Sequence, residues 1–191
     1  MGMFRYAAPL FGRYGDRWSE ETISRITGLL EPCLGVRREL LDLGGGTGAL
    51  AARLADALDV RATVLDPSPE MIAQMRSHRR VSAVVGSAEA MPFAAGSFDA
   101  CVISDAFHHF RDQDGAVREI VRVVRPGGCL LVIDFDRSGW MRLIVWAEKL
   151  LGEPGSFFTP DELCAYMAAR GIDGRCERTE GANYFFIGTI A

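Results

Sequence analysis

After a short apolar run, Glu39 to Leu43, the chain reads Asp42-Leu43-Gly44-Gly45-Gly46-Thr47-Gly48. Glycines at this density let the backbone turn sharply and approach a ligand closely, because no Cβ intrudes. A plain strand-to-helix turn needs fewer than four in five positions, so the spacing points to binding. Asp66 stands 18 positions after Gly48. At that offset an acid at the end of a second strand accepts hydrogens from the hydroxyls of a ribose; the structural alternatives are a helix cap or a solvated acid. His108 and His109 follow a later apolar run. Imidazole titrates near neutrality and can take a proton from a hydroxyl or amine, although adjacent histidines point different ways and one commonly serves only as a loop hydrogen-bonder. Spacing alone leaves the cofactor open. Gly44, Gly46 and Ala49 also satisfy the G-x-G-x-x-A dinucleotide pattern, which keeps an NAD-dependent oxidoreductase in view. The Tyr-x-x-x-Lys pair of short-chain reductases is missing, since Tyr166 is followed four positions later by Arg170.

The elements that must position these residues alternate between strand and helical character. Leu50, Leu54 and Leu58 recur every four residues and mark a helix after the glycines. Val60 to Leu65 reads as a second strand, and Ser68-Pro69 opens a second helix with Met71, Ile72 and Met75 as its buried face. Val81 to Val85 and Phe98 to Ile103 are the third and fourth strands. Val117, Ile120, Val121 and Val124 follow helical spacing, Pro126-Gly127-Gly128 ends that helix, and Cys129 to Ile133 is a fifth strand. Strands apolar on both faces belong to a parallel sheet covered on both sides, with strand, helix, strand repeated four times. In the tail, Thr159-Pro160-Asp161-Glu162 is a capping box and Gly171 closes the helix it opens. Gly174 to Thr179 and Tyr184 to Ile190 are joined too tightly for a parallel crossover, so they form an antiparallel hairpin and the sheet ends in a reversed strand. An earlier helix, Ser19 to about Leu30, turns Ile23, Ile26, Leu29 and Leu30 inward.

Composition narrows the classes. The chain has 191 residues, 49% of them apolar, with 21 Lys plus Arg against 25 Asp plus Glu and a net charge of −4. That balance argues against a nucleic-acid binder, which needs surplus cations, and against adhesion to an anionic membrane. Apolar runs such as Cys129 to Ile133 fall far short of the roughly 20 residues a bilayer-spanning helix requires, and Met1 to Tyr14 is not a secretory signal. The basic residues Arg76, Arg79 and Arg80 read as a solvated helix surface. Cysteines at 33, 101, 129, 164 and 176 are scattered without a Cys-x-x-Cys. Neither a metal site nor a disulfide scaffold is expected from that spacing, and reduced thiols in a cytoplasmic protein are.

Several blocks then carry a family resemblance. Leu41-Asp42-Leu43-Gly44-Gly45-Gly46-Thr47-Gly48 resembles the first motif of the class I S-adenosylmethionine-dependent methyltransferases. Gly86-Ser87-Ala88-Glu89-Ala90-Met91-Pro92-Phe93 with Ser97-Phe98-Asp99 is similar to the block after strand three in their small-molecule branch. Ser104 to Phe110 and Arg122 to Gly128 resemble the next two blocks, in the same order. The resemblance implies a Rossmann-like, seven-stranded α/β sheet, mostly parallel with an antiparallel C-terminal hairpin strand and helices on both faces. It implies one domain over 1–191, with a helical leader at 1–36 and the core at 37–191.

It also implies S-adenosylmethionine as cofactor and in-line methyl transfer to a small-molecule acceptor. Gly44, Gly46 and Gly48 would line the methionine part, with Asp42 near its amino group. Asp66 would hold the ribose, flanked by Pro67 and Ser68. Ala88 and its neighbours would meet the adenine, and the Ser104-Asp105 backbone the amino-acid end. Where the family commonly has an acid, this chain has Ser87; a serine accepts the adenine hydrogen bond without charge, or Glu89 takes over. The Asp/Asn-Pro-Pro-aromatic and Pro-Cys blocks of nucleic-acid methylators do not follow strand four. Trp140 to Trp146 stands where the branch often inserts a lid, with the buried face of a crossover helix as the alternative. Phe4-Arg5-Tyr6, Phe11 and Tyr14 resemble the family's aromatic leader. A catalytically inactive cofactor-binding partner protein is the non-enzymatic alternative.

Overall fold

The computed structural model describes residues 18–135, 157–179 and 183–191. The aromatic leader residues and the Trp140 to Trp146 stretch lie outside the described residues. Helix α1 (Glu20–Leu30) is capped by Ser19, whose hydroxyl accepts the Thr22 N–H, and it buries Ile23, Ile26 and Leu30. There follow β1 (Glu39–Leu43), α2 (Ala49–Ala57), β2 (Arg61–Asp66), the single turn α3 (Pro69–Ile72) and β3 (Val81–Val85). After them come β4 (Phe98–Ser104), α4 (Gln113–Val123), β5 (Val124–Phe135), α5 (Pro160–Ala168), β6 (Ile172–Arg178) and β7 (Asn183–Ile190).

The strands form one seven-stranded sheet in the order β3-β2-β1-β4-β5-β7-β6. Pairs among β1 to β5 are parallel and β7 is antiparallel to both β5 and β6. Alternate residues supply two cores. Leu40, Ala100, Val102, Cys129 and Leu131 face α1 and α2, whereas Leu41, Cys101, Ile103, Leu130 and Val132 face α4 and α5. That double burial explains the absence of polar alternation in these strands.

Five expectations need correction. The reversed strand β7 lies second from the edge, and the edge strand β6 runs with the parallel set. The fifth strand begins at Val124, opposite Phe98, and passes through Pro126-Gly127-Gly128 with a register shift, so those residues bend a strand rather than stop a helix. A Cβ on Gly128 would stand 2.4 Å from the Asp99 carbonyl oxygen, which is why only glycine fits that close strand approach. The Met71 helix is one short turn with Met71, Ile72 and Met75 half-buried, and residues 86–97 between β3 and β4 contain turns but no helix. Finally, Cys33 and Cys129, 96 positions apart, are joined as a disulfide with Cα atoms 5.9 Å apart. The sulfurs of Cys164 and Cys176 lie 2.8 Å apart. Sheet packing makes these pairs neighbours, which linear spacing cannot show.

The amino ends of the strands are tied by one buried carboxylate. Asp99, at the start of β4, accepts Arg125 Nε at 2.6 Å and the Glu39 N–H at 2.9 Å. Arg125 Nη2 also donates to the Cys33 carbonyl at 2.7 Å, so β1, β4, β5 and the turn after α1 meet there. Burial alone would raise the Asp99 carboxyl, but the hydrogen bonds from Arg125 and Glu39 outweigh it and hold its pKa below the ordinary carboxylate value. A depressed pKa contributes stability above the unfolded value of about 3.9 and loses it as pH falls through the folded value. We expect Asp99→Asn to cost about 1.5–3 kcal/mol at neutral pH, the range for a hydrogen bond to a charged group. The variant should also lack this part of the acid destabilisation. Urea unfolding from pH 7 to pH 2 measures both; parallel stability curves for the two proteins would refute the role of Asp99.

Candidate active site at the carboxyl ends of the strands

The order β2-β1-β4 puts the topological switch between β1 and β4, where open α/β sheets bind ligands. β1 leads directly into the glycine loop. Gly44, Gly46 and Gly48 have φ of +74°, +54° and +69°, a left-handed region that costs other residues about 1–2 kcal/mol. The directions of the missing Cβ atoms are taken by the protein itself: Ala106 Cβ would lie 2.6 Å away at Gly44, Met71 Cε 2.9 Å at Gly46, and Met75 Sδ 2.8 Å at Gly48. These glycines are therefore demanded by backbone conformation and internal packing, which bears on the sharp turn expected of them; the expected ligand approach is a separate matter. Gly48 caps α2 without a side-chain hydrogen bond.

Two buried acids support the loop. The carboxyl of Asp42, 1% exposed, lies beneath Gly45 and accepts the Ala51 N–H, and its Oδ2 has no hydrogen-bond partner among the described residues. Burial lifts its pKa to about 7, opposed by the Ala51 amide and reinforced by Asp66. Asp66, at the end of β2, accepts the Gly46 N–H on Oδ2 at 2.9 Å and the Ser68 N–H on Oδ1 at 2.9 Å. Its pKa is raised by burial, against the lowering pull of the Ser68 and Gly46 amides. It clamps the glycine loop to β2, and each oxygen keeps a second acceptor position for a ligand hydroxyl. Ser68 caps α3 by accepting the Met71 N–H at 3.2 Å, and Pro67 is exposed beside it.

Two strands from β1, after β3, Ala88 is buried and Ser87 exposed. The Ser87 hydroxyl donates to the Glu89 carboxylate, which also accepts the Asp112 N–H at 3.4 Å. Burial acts to raise Glu89, but these hydrogen bonds prevail and its pKa lies below the usual value. The negative charge at this corner belongs to Glu89.

On the other side, β4 ends at Ser104, whose hydroxyl donates to Asp105 Oδ2 at 3.2 Å. Asp105 has φ of +48°, and its N–H donates to the Ile133 carbonyl at 2.9 Å. This left-handed residue turns the chain so that Ala106 packs on Gly44 and a short 3-10 turn, Phe107–His109, follows. His108 is 5% exposed, and its Nδ1 lies 2.8 and 3.1 Å from the two oxygens of Asp134, itself 4% exposed. Phe157 stacks on the His108 ring at 4.2 Å and 18°, and the His109 ring lies 4.0 Å away. His109 is exposed, yet partial desolvation within that stack, then the neighbouring His108, push its pKa down to about 4, with Asp134 opposing.

Of the residues the sequence singled out, the structure brings together Asp42, the glycines, Asp66, Ser68 and the turn carrying Asp105 and His108. Asp134 and Phe157 were missed. The signal for Asp134 is an acid placed directly after the apolar run of β5, where the strand reaches the same rim; Phe157 precedes a capping box and has no separate signal. Among the described residues there is no group of three metal-ligating side chains, and no helix is long and apolar enough to cross a membrane. A surface depression lined by Val36, Arg37, Arg38, Asp59, Val60, Arg61 and Arg80 lies at the opposite, amino ends of the strands and includes no candidate site residue.

Comparison with known proteins agrees with this geometry. Residues 41–132 match the family model described as a methyltransferase domain. The chain is similar to a ubiquinone/menaquinone biosynthesis C-methyltransferase of Rubrivivax gelatinosus, 46% identical over 105 residues that cover 54% of this chain and 41% of that protein. An uncharacterized methyltransferase of Mycobacterium tuberculosis is 41% identical over 123 residues, 62% of this chain and 48% of that protein. The chain thus spans about half the length of the curated relatives it matches. Among solved structures, the complex between the Haloferax volcanii Trm112 methyltransferase activator and a methyltransferase gives a TM-score of 0.80 at 18% identity, covering 100% of this chain and 98% of that one. Human N-acetylserotonin methyltransferase in complex with S-adenosylmethionine gives 0.72 at 19%, covering 95% and 55%. These structural likenesses establish the fold. The glycine loop, the acid at the end of β2 and the β4 turn all lie within residues 41–132, the stretch of this chain that is similar to the methyltransferase domain.

Proposed function

We propose that this chain, with 1–36 as leader and 37–191 as core, transfers a methyl group from S-adenosylmethionine to a small-molecule acceptor by in-line displacement. One observation carries the reading: Asp66 bridges the Gly46 and Ser68 amides while Ala106 packs on Gly44, so three strand ends share one rim. The donor set suits the cofactor. Two buried acids with raised pKa beside the loop are relieved by a cation, and one oxygen of Asp42 lacks a partner among the described residues. Asp42, buried beneath the glycine loop where a dinucleotide would bring its pyrophosphate, disfavours the NAD alternative.

When bound, S-adenosylmethionine supplies a methyl group on a positively charged sulfur. In this reading Gly44, Gly46, Gly48 and Asp42 bind the methionine end, with the Ser104-Asp105 backbone opposite. Asp66, with Pro67 and Ser68, holds the ribose, and Ser87, Ala88 and Glu89 meet the adenine. Orientation of acceptor against methyl can contribute about 7–11 kcal/mol to the barrier reduction. The acceptor side carries His108, Phe110 and Phe157, an aromatic setting that suits an aromatic ring. The C-methyltransferase relatives, named for ubiquinone and menaquinone biosynthesis, support the same substrate class. No nucleic acid is required.

Calorimetry tests the cofactor directly. S-adenosylhomocysteine should bind and NAD should not; the reverse result would overturn the assignment. Asp66→Ala removes two hydrogen bonds to a charged group, each worth roughly 1.5–3 kcal/mol, and should weaken S-adenosylhomocysteine by at least about tenfold. Circular dichroism separates that loss from unfolding. Because the charge after β3 sits on Glu89, Glu89→Gln should weaken binding more than Ser87→Ala, and the opposite ranking would place the adenine contact on Ser87.

A further inference from the structure

The buried contact between β5 and the turn after β4 has the form of a base and its orienting group. We infer that Asp134 is a positioning residue that holds His108 with its proton on Nδ1, leaving Nε2 to take the proton of a phenolic acceptor as it is methylated. This rests on the methyltransferase reading above and goes beyond it by naming the acceptor's protonation state and the residue that sets the base.

The geometry supplies each part. Both Asp134 oxygens face Nδ1, at 2.8 and 3.1 Å, and a carboxylate in that position accepts, so the ring nitrogen must donate. Among the described residues Nδ1 is the His108 ring nitrogen with a hydrogen bond, and Nε2 is the nitrogen left for an acceptor. Stacking on Phe157 fixes the ring plane, and burial of His108 and Asp134 excludes competing water. The turn that carries His108 starts at the glycine loop, since Ala106, two residues earlier, packs on Gly44. Among the described residues the groups facing His108 are Asp134 from β5, His109 from its own turn, and the uncharged Phe157.

The step balances. A lone pair of the acceptor forms the new bond to the methyl carbon, the sulfur–carbon bond breaks, and its electron pair neutralises the sulfur. The acceptor's proton passes to His108 Nε2, the imidazolium forms beside Asp134, and water later removes that proton. An acceptor already ionised, such as a carboxylate, has no use for this arrangement. Phenols and hydroquinones do.

With only three histidines in the chain, the ring nitrogens can be assigned one by one. Long-range proton–nitrogen-15 correlation spectra of the wild-type protein at pH 8 should show His108 protonated at Nδ1 with a bare Nε2, assigned by signal loss in His78→Gln and His109→Gln. Protonation at Nε2 instead would overturn the inference without any variant. With 1,4-naphthohydroquinone and catechol as probes, Asp134→Asn should lower kcat by about 100-fold or more, the usual scale of general-base catalysis. KM and S-adenosylhomocysteine affinity should stay within a few-fold, and Asp134→Glu should recover part of the rate. Undiminished kcat in Asp134→Asn overturns the inference while leaving the methyltransferase reading intact. So does wild-type protein that binds S-adenosylhomocysteine yet methylates neither probe. Failure to bind S-adenosylhomocysteine at all sinks the underlying reading first.

Discussion

The Gly46 amide and the Ser68 amide point at the two oxygens of one side chain, Asp66, and the rest of the site is built outward from that clamp. A glycine loop with three positive φ angles is a conformation the unfolded chain visits at large entropic expense, because glycine has the most freedom to lose. Something must hold it. Here the holder is a carboxylate on the neighbouring strand, reinforced by Met71 and Met75 packed where Cβ atoms would project. The clamp carries an electrostatic consequence. Burial raises the cost of ionising both Asp42 and Asp66, and Asp66 adds to the cost at Asp42, so the loop is a place that favours positive charge. A cationic ligand is the natural remedy, since it lowers the cost of both charges at once.

The two ends of the sheet divide the labour. At the amino ends, Asp99 with Arg125 and the Glu39 amide closes a compact, well-satisfied knot. Arg125 is only partly buried, 33% exposed against 2% for Asp99, so water screens part of the attraction. At the carboxyl ends the polar groups are less satisfied and the backbone less ordinary: among the described residues Asp42 keeps an oxygen without a partner and Asp105 holds a left-handed φ. Sites that do chemistry tolerate such conformations when the surroundings determine them. In this fold β1, β4 and β5, the three most internal parallel strands, are the surroundings.

Much of this was legible in the sequence because it is local. Strand β1 and strand β3 fall on the residues their apolar runs predict, and the Thr159 capping box stands in the structure with both of its hydrogen bonds. The glycine loop and Asp66 could be placed because an apolar run ending in glycines is a strand end in an α/β sheet. What escaped depends on contacts between distant segments. Cys33 meets Cys129, and His108 meets Asp134, only because the sheet order lays β5 beside β4 and the turn after α1 beneath both. Pro126-Gly127-Gly128 was misread for the same reason. Its glycines look like a helix stop until Gly128 is seen pressed against the Asp99 carbonyl of the next strand. The position of β7 inside β6 likewise follows from which strand β5 still had an open edge toward, a question that hairpin spacing does not pose.

The same distinction decides between the two histidines. From sequence they are equivalent, neighbours on one turn at the mouth of the cleft. In the fold they are not. His109 is exposed and held toward the neutral form, with a pKa near 4 that makes it a poor proton acceptor. His108 is buried against a carboxylate that would stabilise it on becoming charged. A buried carboxylate beside a neutral imidazole is a costly arrangement unless positive charge arrives there. Proton uptake from an acceptor delivers it at the moment the sulfur loses its own. The charge that disappears at one side of the cleft reappears at the other, and each is met by an acid already in place.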